Sequence, residues 1–80
     1  MNLKDALTWR VNELCNNHGL NPNSLANLSG MDRSTVYSML GEKSRSPEVA
    51  TIKKICDGLG ITLGDFFTSP VFDGLEQEIK

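Results

Sequence analysis

The apolar positions recur at helical steps from one end of the chain to the other. Leu3, Leu7, Val11 and Leu14 follow one another at intervals of four, four and three, with Ala6 and Cys15 beside them, so residues 3–17 present one apolar stripe. Gly19 closes that predicted helix. Asn21 is suited to cap the next one and Pro22 to open it, because a missing N–H at the first helical position costs nothing. Leu25, Ala26 and Leu28 are then expected to face inward until Gly30 breaks the segment, leaving a second helix of only about two turns.

Asp32 is the expected N-cap of a third helix over residues 33–40, in which Val36, Met39 and Leu40 give an inward face at i, i+3, i+4. The stretch GEKSRSP has no periodicity and is rich in turn formers, so it reads as a loop. Ser46 and Pro47 are expected to open a fourth helix with the stripe Val49, Ile52, Ile55, Cys56 and Leu59, ended by Gly60. Thr62 followed three positions later by Asp65 resembles a capping box and introduces a short helix carrying Leu63, Phe66 and Phe67. No stretch alternates long enough to make a strand, so the predicted fold is all-α, five helices with short connections. Pro70 marks the one boundary, between a domain at residues 1–69 and a tail at 70–80.

Eighty residues support one small core, and 39% hydrophobic with 22% charged residues is an ordinary globular balance. No apolar run approaches the ~20 residues that span a bilayer, and the N-terminal MNLKDALTWR has neither a signal h-region nor an Arg-rich transit pattern, so a cytoplasmic protein off the membrane is expected. Cys15 and Cys56 both fall on helical core stripes and fit no CxxC motif, so they read as reduced core thiols.

Two helices around a turn could be a plain αα-hairpin, and the spacing decides. From residue 22 to 41 the pattern is apolar at 25, small at 26, glycine at 30, then apolar at 31, 36 and 39. Ala26 allows a close helix crossing, Gly30 can take positive φ in the turn, and Met31, Val36 and Met39 pin the second helix to the core. This stretch, followed by RSPEVATIKKICDGLGITLGDFF over residues 45–67, resembles the phage-repressor or XRE-type helix-turn-helix family that includes lambda repressor and Cro. The resemblance covers about residues 7–67 and implies a compact five-helix lambda-repressor-like DNA-binding domain.

It further implies that the helix at 33–40 is a recognition helix in the major groove of double-stranded DNA, while the second helix crosses the backbone. Arg33, Ser34, Tyr37 and Ser38 lie away from the Val36 and Met39 side and become the base-reading residues. Arg33 leads, since a guanidinium can donate two hydrogen bonds to O6 and N7 of guanine. The Tyr37 ring could instead cover the core edge. Phosphate contacts are implied for Asn23 and Ser24, for Thr35, and for Lys43, Ser44 and Arg45 in the loop. At position 22 the family often has a phosphate-touching glutamine, and here Pro22 supplies no such side chain.

A net charge of −2 sits awkwardly with a polyanionic partner until it is located. Residues 1–32 set Lys4 and Arg10 against Asp5, Glu13 and Asp32, a net of −1. Residues 33–54 set Arg33, Lys43, Arg45, Lys53 and Lys54 against Glu42 and Glu48, a net of +3. Residues 57–80 set Lys80 against Asp57, Asp65, Asp73, Glu76 and Glu78, a net of −4. With a Debye length of ~8 Å at physiological salt, the local basic surface outweighs the distant acid.

One such domain reads a half-site, so a homodimer is expected. Val71, Phe72, Leu75 and Ile79 recur at roughly helical spacing among acidic residues and, with Phe66 and Phe67, form the expected dimerisation segment, the alternative being a tail folded onto its own domain. No catalytic role is expected: His18 is the lone histidine and has no metal-spaced neighbours, there is no phosphate-cradling glycine motif, and neither metal nor cofactor is called for. The leading expectation is a sequence-specific DNA-binding transcriptional regulator, acting as a repressor. The alternative is a protein-interaction module or an antitoxin with a protein partner.

Overall fold

A computed structural model describes residues 1–41 and 45–79. Five α-helices follow in order, α1 (Leu3–Asn17), α2 (Pro22–Ser29), α3 (Arg33–Leu40), α4 (Val49–Leu59) and α5 (Leu63–Phe67), then a 3-10 turn, Pro70–Phe72; among the described residues there is no strand. The all-α expectation and the bounds of the first and third helices agree with the structure.

Local chemistry accounts for most of the ends. Asn2 caps α1, its side chain accepting from the Asp5 N–H at 2.8 Å. Asn21 caps α2 by accepting from the Ser24 N–H at 2.8 Å, with Pro22 in the first turn. The predicted capping box at α5 is formed in both directions: the Asp65 N–H donates to Thr62 Oγ1 at 3.0 Å and the Thr62 N–H to Asp65 Oδ2 at 3.2 Å. Asp32 occupies the N-cap position of α3, but its side chain makes no cap hydrogen bond.

The core gathers Leu7, Val11, Leu14 and Cys15 of α1, Leu25 and Ala26 of α2, Val36 and Met39 of α3, Ile52, Ile55 and Cys56 of α4, and Phe66 of α5. Cys15 and Cys56 are free, buried thiols, and burial pushes both up from the ordinary thiol range. α4 crosses α2 closely at Gly58. A Cβ there would lie 2.7 Å from the Leu28 carbonyl oxygen and 2.9 Å from Ser29 Oγ, so only glycine fits without moving one helix.

Four expectations are corrected. Leu28 is 53% exposed, because Leu25, Ala26 and Ser29 take the inward places on α2 and, at 100° per residue, Leu28 falls roughly 105° from the centre of that face. Val49 is 66% exposed: it is the first residue of α4, its side chain leans toward the helix N-terminus, and core contact begins at Ile52. Ser46 and Pro47 do not open α4. The residue before a proline is pushed toward extended backbone, and the first carbonyl to accept helical bonds is that of Glu48, from Thr51 at 3.0 Å and Ile52 at 3.1 Å.

The helical spacing of the tail is not realised either. Pro70 starts a single 3-10 turn and Gly74 takes φ +72°, which ends any helical run. The turn rests against α1, and the Phe72 ring sits 5.1 Å from that of Phe67 and 6.1 Å from that of Phe66. Beyond it, the Glu76 N–H donates to the Met1 carbonyl at 3.3 Å.

Candidate nucleic-acid interface

The α2–turn–α3 unit is set by one left-handed residue. Gly30 has φ 66° and ψ 30°, and its N–H and that of Met31, the latter at 3.0 Å, both return to the Ala26 carbonyl. This closes α2 and reverses the chain within three residues, so that α3 starts at Arg33. Any side chain at 30 would strain the turn.

α3 then divides cleanly by face. Val36 is 0% and Met39 7% exposed, whereas Arg33, Ser34, Thr35, Tyr37 and Ser38 are all exposed. With two inward anchors fixing its roll, the helix presents a polar ridge of a guanidinium, hydroxyls and one phenol to solvent. Tyr37 is 52% exposed, so its ring does not serve as a lid on the core.

The structure brings part of the expected phosphate set together and leaves part apart. Thr35, Ser38, Arg45, Ser46 and Thr51 line one open groove of about 260 Å³ between α3 and the start of α4. Met39, Pro47 and Glu48 complete its lining, so the hydroxyls and the guanidinium, which can donate to an anionic oxygen, share the groove with a carboxylate. Asn23 is exposed on the first turn of α2, while the Ser24 hydroxyl is engaged, donating to Asn21 Oδ1 at 3.1 Å. Lys43 and Ser44 lie outside the described residues.

Of the residues expected at a dimer contact, Phe67 is 41% and Ile79 88% exposed, and Val71, Phe72 and Leu75 are half-buried. Phe66, at 0%, has no surface to offer a second chain: it anchors α5 from within. His18 is an exposed residue at the end of α1, and no group of three or more metal-ligating side chains occurs among the described residues. None of the described helices is long and apolar enough to cross a membrane.

Sequence reasoning missed two cations that hold helix ends. Lys4 Nζ donates to the Met39 carbonyl of α3 at 2.6 Å and to Thr8 Oγ1 at 2.8 Å. Arg10 donates to the Phe66 carbonyl at 2.7 Å and the Asp65 carbonyl at 2.8 Å, and pairs with Glu13 at 2.5 Å. The backbone partners lie 35 and more residues away, so no local pattern announces them. Gly58 was also missed, although a glycine inside a helix, costing about 1 kcal/mol against alanine, is a readable signal of close approach.

No curated protein matches the chain. A crystal structure of the prophage Lp1 protein 11 matches it with a TM-score of 0.79 and 35% sequence identity, covering 88% of this chain and 93% of that one. A family model, that of the Cro/C1-type HTH DNA-binding domain, matches residues 10–70, a span that takes in the turn at Gly30, the exposed ridge of α3 and the capped α5. By that match the chain belongs to the Cro/C1-type helix-turn-helix family of DNA-binding domains.

Proposed function

We propose that the protein is a transcriptional repressor that occupies an operator as a homodimer, each copy laying α3 in the major groove. Family membership supports a DNA-binding regulator, and the observation that carries the finer reading is the division of α3. Two buried anchors leave Arg33, Ser34, Tyr37 and Ser38 free on one solvent-facing ridge. Arg33 donates to O6 and N7 of a guanine, worth ~1 to 3 kcal/mol of discrimination, while the serines accept or donate at neighbouring edges. Thr35 and Arg45 hold a phosphate at the groove they share, with Asn23, Ser24, Lys43 and Ser44 along the same backbone. The acid of residues 57–80 keeps the protein off bulk DNA.

The second copy meets the first through the exposed side of α5 and the tail, with Phe67, Val71, Phe72, Leu75 and Ile79 in contact and Phe66 supporting them from the core. The protein acts where its DNA is, in the cytoplasm, and needs no cofactor.

Selection from a random duplex pool at physiological salt tests this, run in parallel with Arg33→Ala. Enrichment of an inverted repeat, with one base pair relaxed in each half-site by the variant, supports an operator-reading dimer. No enrichment by a folded wild type overturns it and turns attention to a protein partner. Sedimentation of a chain ending at Ser69 tests the dimer separately: an unchanged dimer would remove the tail from the contact.

A further inference from the structure

The Lys4 side chain has a local reason not to be where it is. It lies in the first turn of α1, next to the positive end of that helix's dipole, where a cation is disfavoured. Its stem runs across to α3 instead, and Nζ donates to the Met39 carbonyl at 2.6 Å while Thr8 Oγ1, one turn along α1, accepts a second bond at 2.8 Å and fixes its direction. α3 has no basic residue in its own last turn. The ammonium of Lys4 therefore supplies from another helix the charge that the carbonyl end of α3 lacks.

We propose that Lys4, aimed by Thr8, is a positioning residue for sequence reading: the bond to Met39 fixes the carbonyl end of α3 and with it the tilt at which Arg33, Ser34, Tyr37 and Ser38 meet the groove. The inference rests on the operator reading given above. α3 is only eight residues long; Val36 and Met39 are its buried side chains, and Leu40, half-buried at its last position, packs on the same core. Apolar anchors confined to one face within about a turn fix roll about the helix axis better than tilt. A polar attachment at the end of the helix, off the apolar face, adds a constraint of a different direction. Bidentate base contacts are sensitive to small changes in tilt, whereas phosphate contacts by flexible side chains are not.

The test uses the full chain, the duplex recovered by selection, and a scrambled duplex of equal length and composition. Binding to both is measured across a salt series for wild type, Lys4→Met, Lys4→Arg and Thr8→Val, at a temperature where circular dichroism shows each folded. Lys4→Met keeps the apolar stem and removes the donor. Its Kd for the selected duplex is expected to rise about tenfold, the size of one ordinary net hydrogen bond, while the scrambled duplex changes less than about twofold and the salt slope stays. Lys4→Arg, which keeps charge and donors, recovers most of the discrimination, and Thr8→Val shifts it in the direction of Lys4→Met by a smaller factor.

Loss on both duplexes together, with the slope falling by about 0.9, would make Lys4 a phosphate contact and overturn the proposal. An unchanged ratio between the duplexes, whatever happens to thermal stability, would reduce Lys4 to a merely structural tie. Failure of wild type to select any duplex would instead bring down the operator reading, and this inference with it. Should Lys4→Met not fold, Thr8→Val and Lys4→Arg decide by the same ratio.

Discussion

Two successive helix pairs, α2–α3 (the outer) and α4–α5 (the inner), meet where α2 packs on α4, and they are held in different ways. In the inner pair, α4 and α5, the ends are secured twice over. Thr62 and Asp65 close the start of α5 reciprocally, Phe66 is wholly buried, and Arg10, its side chain only 12% exposed, donates to the carbonyls of both Asp65 and Phe66. In the outer pair, α2 is well capped, but α3 starts at an Asp32 whose carboxylate makes no cap hydrogen bond, and at its end the Gly41 N–H returns to the Ser38 carbonyl while Lys4 donates to that of Met39. The difference follows from what each pair must leave uncovered. A helix with one whole face exposed can be anchored only along the other, and the end of α3 takes a tie from Lys4 of α1. The inner pair adds a local signal, the reciprocal cap of Thr62 and Asp65, to its own long-range tie from Arg10 of α1.

The largest break in this comparison is expected at Phe66. Phe66→Ala removes the one fully buried aromatic ring and should cost about 3–5 kcal/mol, enough to bring so small a domain near its unfolding limit. Val36→Ala, the matching deletion on α3, removes less volume and should cost about 2 kcal/mol. Urea unfolding of the two variants checks the order. A larger loss at Val36 would mean that the outer pair carries the core.

Gly58 sharpens the comparison from the seam where the pairs meet. Alanine there gains about 1 kcal/mol of helix propensity, yet its Cβ must displace the Leu28 carbonyl at 2.7 Å, which is backbone and cannot rotate away. Overpacking of this kind costs about 1–3 kcal/mol, so Gly58→Ala should come out destabilised by about 1 kcal/mol and, by pushing α2 off α4, should weaken DNA binding as well. A stabilised Gly58→Ala protein would show that the two pairs do not approach this closely in solution.

What the sequence made legible was mostly local. Asn21 with Pro22, Gly30, and Thr62 with Asp65 each announce an end by chemistry within four residues, and each is found as expected. The exposed ridge of α3 was legible because Val36 and Met39 leave one solution for its roll. Leu28 and Val49 misled because hydrophobicity was taken as burial: on α2 the small Ser29 claims the inward place, and Val49 stands at the very start of α4. The tail misled because Pro70 and Gly74 override its spacing. Lys4 and Arg10 were not legible at all. A long cation can reach any carbonyl within its length, and which one is nearest is decided only when the chain has folded.

The finest test of the comparison sets Thr62→Ala beside Asp32→Ala. Both residues occupy an N-cap, but only the Thr62 side chain accepts a backbone bond, from the Asp65 N–H at 3.0 Å, while the reciprocal bond uses a backbone N–H that alanine keeps. Thr62→Ala should therefore cost about 1 kcal/mol by thermal or urea unfolding, the usual size for a lost cap. Asp32→Ala gives up no hydrogen bond, only the favourable placement of a negative charge at a helix N-terminus, so about 0.5 kcal/mol or less is expected, shrinking further at high salt. Binding should move the other way if α3 is the proposed reading helix: removing a carboxylate beside Arg33 on its exposed face tightens association with any duplex at low salt, while Thr62→Ala leaves it alone. Equal stability losses for the two variants would mean that Asp32 does cap α3 in solution, and that the outer pair is held by local signals after all.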